Sequence, residues 1–174
     1  MAGGTAANLV RSTATVYFGA GGTTSFSTST FTSVGYTTGG GVKYTRTLSG
    51  NKLTVDQESI ALDFDITDQV HQIAWTFAEL TPLNLLKAMG STSTSTTSTA
   101  DLTTEPGWNA IAFVTAGSPN TSTTNFTTRT FLFPDCKPIS DLSMTIGEKG
   151  VLHSIAASFE YFIRRTNKAS MTDS

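Results

Sequence analysis

The chain is poor in the residues that most often carry chemistry. Its 174 residues include one cysteine and two histidines. The single cysteine, Cys136, excludes an internal disulfide, and the apolar run before it favours an inert, buried thiol. His71 and His153 have neither HxH nor HExxH spacing, and no GxSxG serine motif is present. We therefore expect no catalytic residues, no metal, no cofactor and no enzyme activity.

Charge and long apolar runs are also scarce. Only 14% of the residues are charged and the net charge is −2, whereas nucleic-acid-binding proteins usually present a basic face. No apolar run approaches the ~20 residues that span a bilayer. The N-terminus lacks the basic and then apolar regions of a secretion signal. These absences predict a soluble protein made in the cytoplasm, with no membrane partner.

What the chain has in abundance is threonine and alternating apolar residues, which favour β-strands. From Val42 to Leu48 every second residue belongs to one face of a predicted strand. The residues Ser49, Gly50 and Asn51 are typical of a turn, and we expect them to close a hairpin onto a second strand at residues 53–57. A third run alternates Leu62, Phe64 and Ile66 with acidic residues.

One short helix interrupts the strands. Residues 70–80 alternate with Ile73, Trp75 and Phe77 on one side, which predicts a strand. Thr81 can then cap a helix, Pro82 suits its first position and Gly90 can end it. Further strands are predicted at residues 13–18, 109–115, 126–133, 141–146 and 153–163. We expect a flexible N-terminal arm at residues 1–12, one domain at residues 13–163 and a basic tail at residues 164–174.

Acidic residues are concentrated from Asp56 to Asp68, a stretch with five acids and no lysine or arginine. Asp63 and Asp65 lie two apart and share a strand face, as Asp56 and Glu58 do if their strand extends that far. Such pairs could serve a glycosidase or bind calcium, although the calcium-loop pattern is absent. A solvated acidic sheet face is the favoured interpretation.

These segments together resemble a known family. Residues 34–66, VGYTTGGGVKYTRTLSGNKLTVDQESIALDFDI, and residues 70–90, VHQIAWTFAELTPLNLLKAMG, resemble the major tail tube proteins of long-tailed bacteriophages. The similarity lies in the GYTTGGGV opening, the VDQ strand end, and the AEL that precedes an LxxLxAxG helix. The segments FLFPDCKPI and SIAASFEYFI are similar to that family's closing strands. The resemblance covers most of the chain from Val34 onward.

The resemblance implies a mainly β fold, a β-sandwich or partly closed barrel with one short flanking α-helix. It also implies stacked hexameric rings that form a tail tube in the virion, contact other tail proteins and let double-stranded DNA pass without sequence-specific binding. We hypothesise that Asp56, Glu58, Asp63 and Asp65 contribute to the tube lining or to a ring contact. The hairpin around Ser49, Gly50 and Asn51, with residues 1–11, is then expected to reach the neighbouring ring.

A different class of function remains open from the sequence. A β-sandwich can also be a carbohydrate-binding module, in which an exposed tryptophan stacks on a sugar ring. Trp75, on an apolar strand face, is expected in the core. Trp108 follows a Pro-Gly pair, and its sequence context does not decide between a buried and an exposed position. The alternative therefore depends mainly on Trp108.

Overall fold

The strands of the computed structural model form one antiparallel sheet. The structure describes residues 14–53, 63–92, 103, 105–116, 128–139, 143–145, 154–163 and 168–173. Its elements are β1 (Thr15–Ala20), β2 (Thr32–Leu53), β3 (Asp63–Phe77), α1 (Pro82–Ala88), β4 (Asn109–Ala116), β5 (Thr128–Pro138), β6 (Ser143–Thr145), β7 (Ser154–Tyr161) and β8 (Ser170–Asp173).

The sheet curls until two of its strands meet. The strand order is β6-β7-β3-β2-β1-β4-β5-β8, and β5 also pairs with β7, which closes a ring of six strands. This closure is short, because only residues 136–138 of β5 pair with residues 159–161 of β7. The predicted mainly β fold with a short helix is confirmed, and the short closure makes it a partly closed barrel.

Aromatic side chains fill the barrel. Ile73, Trp75 and Phe77 of β3 are buried on one side of the strand, as their alternation predicts. The Trp75 ring stacks on Phe159 of β7, with ring centroids 5.4 Å apart and planes 18° apart. It also meets the edge of Phe113 of β4 at 5.2 Å. The first contact links the neighbouring strands β3 and β7. The second crosses the interior, because β3 and β4 lie three strands apart in the ring.

Helix α1 has the start and end that the sequence predicts. The Thr81 side chain accepts a hydrogen bond from the Asn84 amide at 3.1 Å, and Pro82 occupies the first turn. Gly90, just past the helix, has φ +80°, a conformation that favours glycine. The helix therefore ends where its sequence signals place the stop.

The buried face of α1 includes a cation. Lys87 is 2% exposed, and its Nζ donates to the Ser91 carbonyl at 3.0 Å. The same ammonium lies 5.5 Å from the centroid of the Phe18 ring. Burial lowers the pKa of Lys87 to about 8. The structure thus buries the charged end of this side chain together with its aliphatic stem.

The predicted turn at Ser49, Gly50 and Asn51 is wrong. These residues lie inside β2 and pair with residues 68, 66 and 65 of β3. Ser, Gly and Asn favour turns locally, but continuous pairing with β3 overrides that preference. Gly50 serves a close approach instead, because a Cβ there would lie 2.1 Å from the Asp65 carbonyl oxygen. The link from β2 to β3, with the predicted strand residues 54–57, falls outside the described residues.

Two other boundaries differ from the sequence prediction. Strand β5 does not end at Phe133 but continues to Pro138, and Cys136 pairs with both Asn109 of β4 and Tyr161 of β7. The predicted basic tail contains β8, which pairs with residues 129–132 of β5. Next to β8, the Ala169 amide donates to the Tyr161 hydroxyl at 2.7 Å. Residues 170–173 of the tail therefore belong to the sheet.

Candidate assembly arm

Strands β2 and β3 extend beyond the barrel as a two-stranded ribbon. In the described part of the chain, β1 pairs with β2 only over residues 32–36, and β7 pairs with β3 only over residues 72–77. Residues 46–53 and 63–71 therefore pair with each other alone. We call this ribbon the arm. At about 3.3 Å per residue it extends roughly 25 Å, and along its two outer edges it pairs with no other strand of the described residues.

A glycine kink separates the arm from the barrel part of β2. Between Thr37 and Val42 the register with β3 shifts, since five steps along β2 correspond to two along β3. The extra residues include the three consecutive glycines, and Gly41 has φ +67° with no atom within 4 Å of a built Cβ. Glycine adopts this conformation without a steric cost. The GYTTGGGV segment therefore contains the irregularity after which β2 no longer pairs with β1 and continues along β3 towards the arm.

A bulge in β3 gives the arm one apolar face. Ser49 pairs with Asp68 and Gly50 with Ile66, so one extra β3 residue, Thr67, is accommodated between them. Residues directly opposite each other share a face, which places Ile66 on the same side as Leu48. Leu48 is 40% exposed and Ile66 is 48% exposed. We call this side, with Tyr44 at its base, the apolar face, although Arg46 and Gln69 also lie on it.

The opposite side of the arm is polar and acidic. The same register places Asp65 opposite Asn51 and Asp68 opposite Ser49, and all four side chains are exposed. We call this side the acidic face. The backbone of Asp63 lies opposite Leu53 at its outer end, whereas Asp56 and Glu58 fall outside the described residues. The bulge thus brings Asp68, which the sequence analysis did not select, onto one face with Asp65.

An aromatic joint attaches the arm to the barrel. Tyr44 of β2 stacks on Phe133 of β5, with ring centroids 5.7 Å apart and planes 30° apart. The His71 ring of β3 meets Tyr161 of β7 edge-on at 5.8 Å. Tyr44 is 48% exposed and His71 only 5% exposed. The joint therefore lies at the boundary between the filled barrel and the solvated arm.

A chain of hydrogen bonds runs across this joint and determines the state of His71. Arg46 Nη2 donates to Gln69 Oε1 at 3.2 Å, which directs the Gln69 amide nitrogen to His71 Nε2. Nε2 must then accept, so a neutral His71 carries its proton on Nδ1 and donates it to the Tyr44 hydroxyl. Burial, and then the positive charge of Arg46, lower the pKa of His71. The arrangement suits the neutral ring, because a proton on Nε2 would face the Gln69 amide hydrogens.

The other residues considered from the sequence lie away from the arm. Cys136 is buried within the β5 to β7 closure, and burial followed by the nearby Asp135 raises the pKa of its thiol. Trp75 is in the core, 4% exposed, where it cannot stack on a ligand. Trp108 is half-buried, with Lys137 Nζ 4.7 Å from its ring centroid and the edge of Phe162 at 5.3 Å. A sugar on that ring face would have to displace the Lys137 ammonium.

The described residues offer neither a cluster of metal ligands nor a membrane-spanning helix. They contain no group of three or more His, Cys, Asp and Glu side chains placed to hold a metal ion. They also contain no helix with the length and apolar character to cross a membrane.

The comparisons with known proteins return nothing for this chain: no protein-family model matches it, and no curated protein matches it.

Proposed function

We propose that this chain is the repeating subunit of a bacteriophage tail tube, a virion structural protein whose copies associate through the arm. The observation that supports this most is the arm itself, a ribbon whose outer edges pair with no other described strand and whose two faces are apolar and acidic. It projects from a barrel whose core is already filled. The residues that resemble the tail tube family, GYTTGGGV above all, include the irregularity in β2 that precedes the arm.

The physical chemistry of the arm supports association with further copies of the chain. A two-stranded ribbon with solvent on both faces is marginally stable alone. Its unpaired edges can add a strand from another chain, and the apolar face around Leu48 and Ile66 would then leave water. In this proposal the arms of neighbouring subunits pack side by side around a lumen. The number of subunits in a ring, six, follows from the resemblance alone.

An acidic face on the lumen wall would favour the passage of DNA over its adhesion. Double-stranded DNA carries one negative charge per ~1.7 Å of its axis, so a wall with carboxylates at Asp65 and Asp68 repels it weakly. Asp63, Asp56 and Glu58 extend the same acidic stretch in the sequence. A lining of this kind would prevent DNA from adhering as it leaves the virion during ejection. The apolar face would then point towards neighbouring subunits.

Assembly is tested by negative-stain electron microscopy of the purified chain over a concentration series. We expect rings or hollow tubes that become more abundant with concentration. Leu48→Asp should abolish them because it places a charge on the apolar face, whereas Thr47→Asp, one residue away on the opposite side, should leave most of them. A chain that stays monomeric at every concentration, or equal loss in both variants, would count against the arm as the assembly surface.

The lining is tested on assembled tubes. Asp65→Lys with Asp68→Lys should make tubes retain double-stranded DNA in a co-sedimentation assay, increasingly so as salt is lowered. Glu105→Lys changes an exposed acid away from the arm and serves as the control. In phage particles the first variant should slow ejection while the tubes stay intact. Equal DNA retention by both variants would refute the lining.

A further inference from the structure

An apolar cleft opens where the arm leaves the barrel. Its volume is about 360 Å³, and it lies between β2 on one side and β4 and β5 on the other. Three phenylalanine rings and the exposed Tyr44 account for most of its apolar character. The lining residues are Ala14, Gly41, Val42, Tyr44, Phe113, Thr115, Phe131 and Phe133.

The chain itself arrives at this cleft. Ala14 lines it and is 5% exposed, and its carbonyl accepts a hydrogen bond from the Thr37 amide at 3.0 Å. Thirteen residues precede Ala14, and between residues 2 and 13 only Leu9 and Val10 have large aliphatic side chains. Val10 is four residues from Ala14, a distance of at most ~14 Å when the chain is extended.

We propose that the cleft is a docking site for Leu9 and Val10 of the same chain. The occupant is apolar and short, and it is tethered to the rim of the cleft, so its effective concentration there is far above that of a segment from another copy. Docking would remove the side chains of Leu9 and Val10 and the exposed parts of Tyr44 and Phe131 from water, against the buried rings of Phe113 and Phe133. The inference does not depend on the tail tube function, because it concerns the isolated subunit.

A cysteine pair tests the position of the segment. Leu9→Cys combined with Thr115→Cys should form an intrachain disulfide under mild oxidation, read on a non-reducing gel at a concentration where the chain is monomeric. Cys136 can stay, because its thiol is buried and protonated. The control pair is Leu9→Cys with Ser29→Cys, since Ser29 is exposed beyond the opposite end of β1. We expect the first pair to react at least about tenfold faster.

Two other outcomes of the cysteine experiment would contradict docking within one chain. Equal rates for the two pairs would refute docking in the cleft. A disulfide between chains would refute docking within one chain and assign the cleft to the segment of a second copy.

A dye measurement covers the case in which the cysteine variants fold poorly. The double variant Leu9→Asp, Val10→Asp should empty the cleft and raise the fluorescence of 1-anilinonaphthalene-8-sulfonate severalfold. The matched control, Ala6→Asp with Ala7→Asp, adds the same charge nearby without removing an apolar anchor. Unchanged fluorescence in the first variant, or an equal rise in both, would overturn the proposal.

Discussion

Strand β3 passes through two environments that differ in almost every respect. Its C-terminal part, residues 72–77, pairs with neighbours on both sides, and Ile73, Trp75 and Phe77 are at most 4% exposed. Its N-terminal part pairs on one side only, and residues 65–68 are all exposed. The first part is stabilised by contacts within the chain. The second has few such contacts among the described residues.

Strand β2 shows the same contrast between its part in the barrel and its part in the arm. In the barrel, aromatic packing and closed pairing give a core whose opening requires global unfolding. In the arm, few buried contacts and solvent-exposed hydrogen bonds favour local opening at low cost. The boundary between the packed barrel and the solvated arm is the joint formed by Tyr44, His71, Phe133 and Tyr161. In the proposed assembly, the barrel would fold first and the arm would adjust at the contact between copies.

The largest expected effect breaks the barrel and leaves the arm intact. Phe159→Ala removes the ring that stacks on Trp75 and should lower the free energy of unfolding by about 3–5 kcal/mol. Leu48→Ala, on the apolar face of the arm, should lower it by no more than about 0.5 kcal/mol, as at exposed sites generally. Chemical denaturation of the monomer measures both values. A similar loss in the two variants would mean that the arm is part of the folded core.

A smaller effect is expected from a change within the arm. A Cβ at Gly50 would lie 2.1 Å from the Asp65 carbonyl oxygen, so Gly50→Ala must push the two strands apart. We expect faster hydrogen exchange in peptides covering the arm and about a tenfold higher concentration for assembly, which corresponds to about 1.4 kcal/mol. The melting temperature of the barrel should change little. Ser49→Ala, at an exposed neighbouring position without this close approach, is the control, and equal exchange in both variants would contradict the steric explanation.

Local signals in the sequence are sufficient for the parts of the fold that depend on neighbours in the chain. The cap at Thr81, the proline at residue 82 and the glycine at residue 90 all act within two helical turns, and α1 has the predicted start and end. The buried side of β7 also follows from simple alternation, with Ile155 and Phe159 inside. In these segments the period of the sequence and the tertiary structure agree.

The features that escaped prediction all depend on pairing between distant segments. Ser49, Gly50 and Asn51 favour a turn, and only their pairing with β3 makes them part of a strand. The bulge at Thr67 shifts the register by one residue and so places Asp68 and Asp65 on one face, which strict alternation does not predict. The joint has the same origin, because Tyr44 and His71 are 27 residues apart. The arm was therefore visible in the sequence as strands, but its two faces were not.

The smallest expected effect tests the joint through pH. His71 has a lowered pKa in the folded chain, so the unfolded chain binds a proton at this ring more readily. The neutral ring therefore stabilises the folded chain fully above about pH 6.5, the unfolded pKa. This stabilisation is lost as the pH falls from there through the folded pKa. Acidification should increase hydrogen exchange at the base of the arm while the barrel remains protected. The groups facing His71 are Tyr44, Arg46, Gln69 and Tyr161, of which only Arg46 is charged at these pH values. His71→Phe should remove the pH dependence. His153→Phe is the control and should preserve it, which would exclude the second histidine as the source of the acid response. If the His71→Phe chain still loosens at the arm base below pH 6.5, the joint does not respond through this ring.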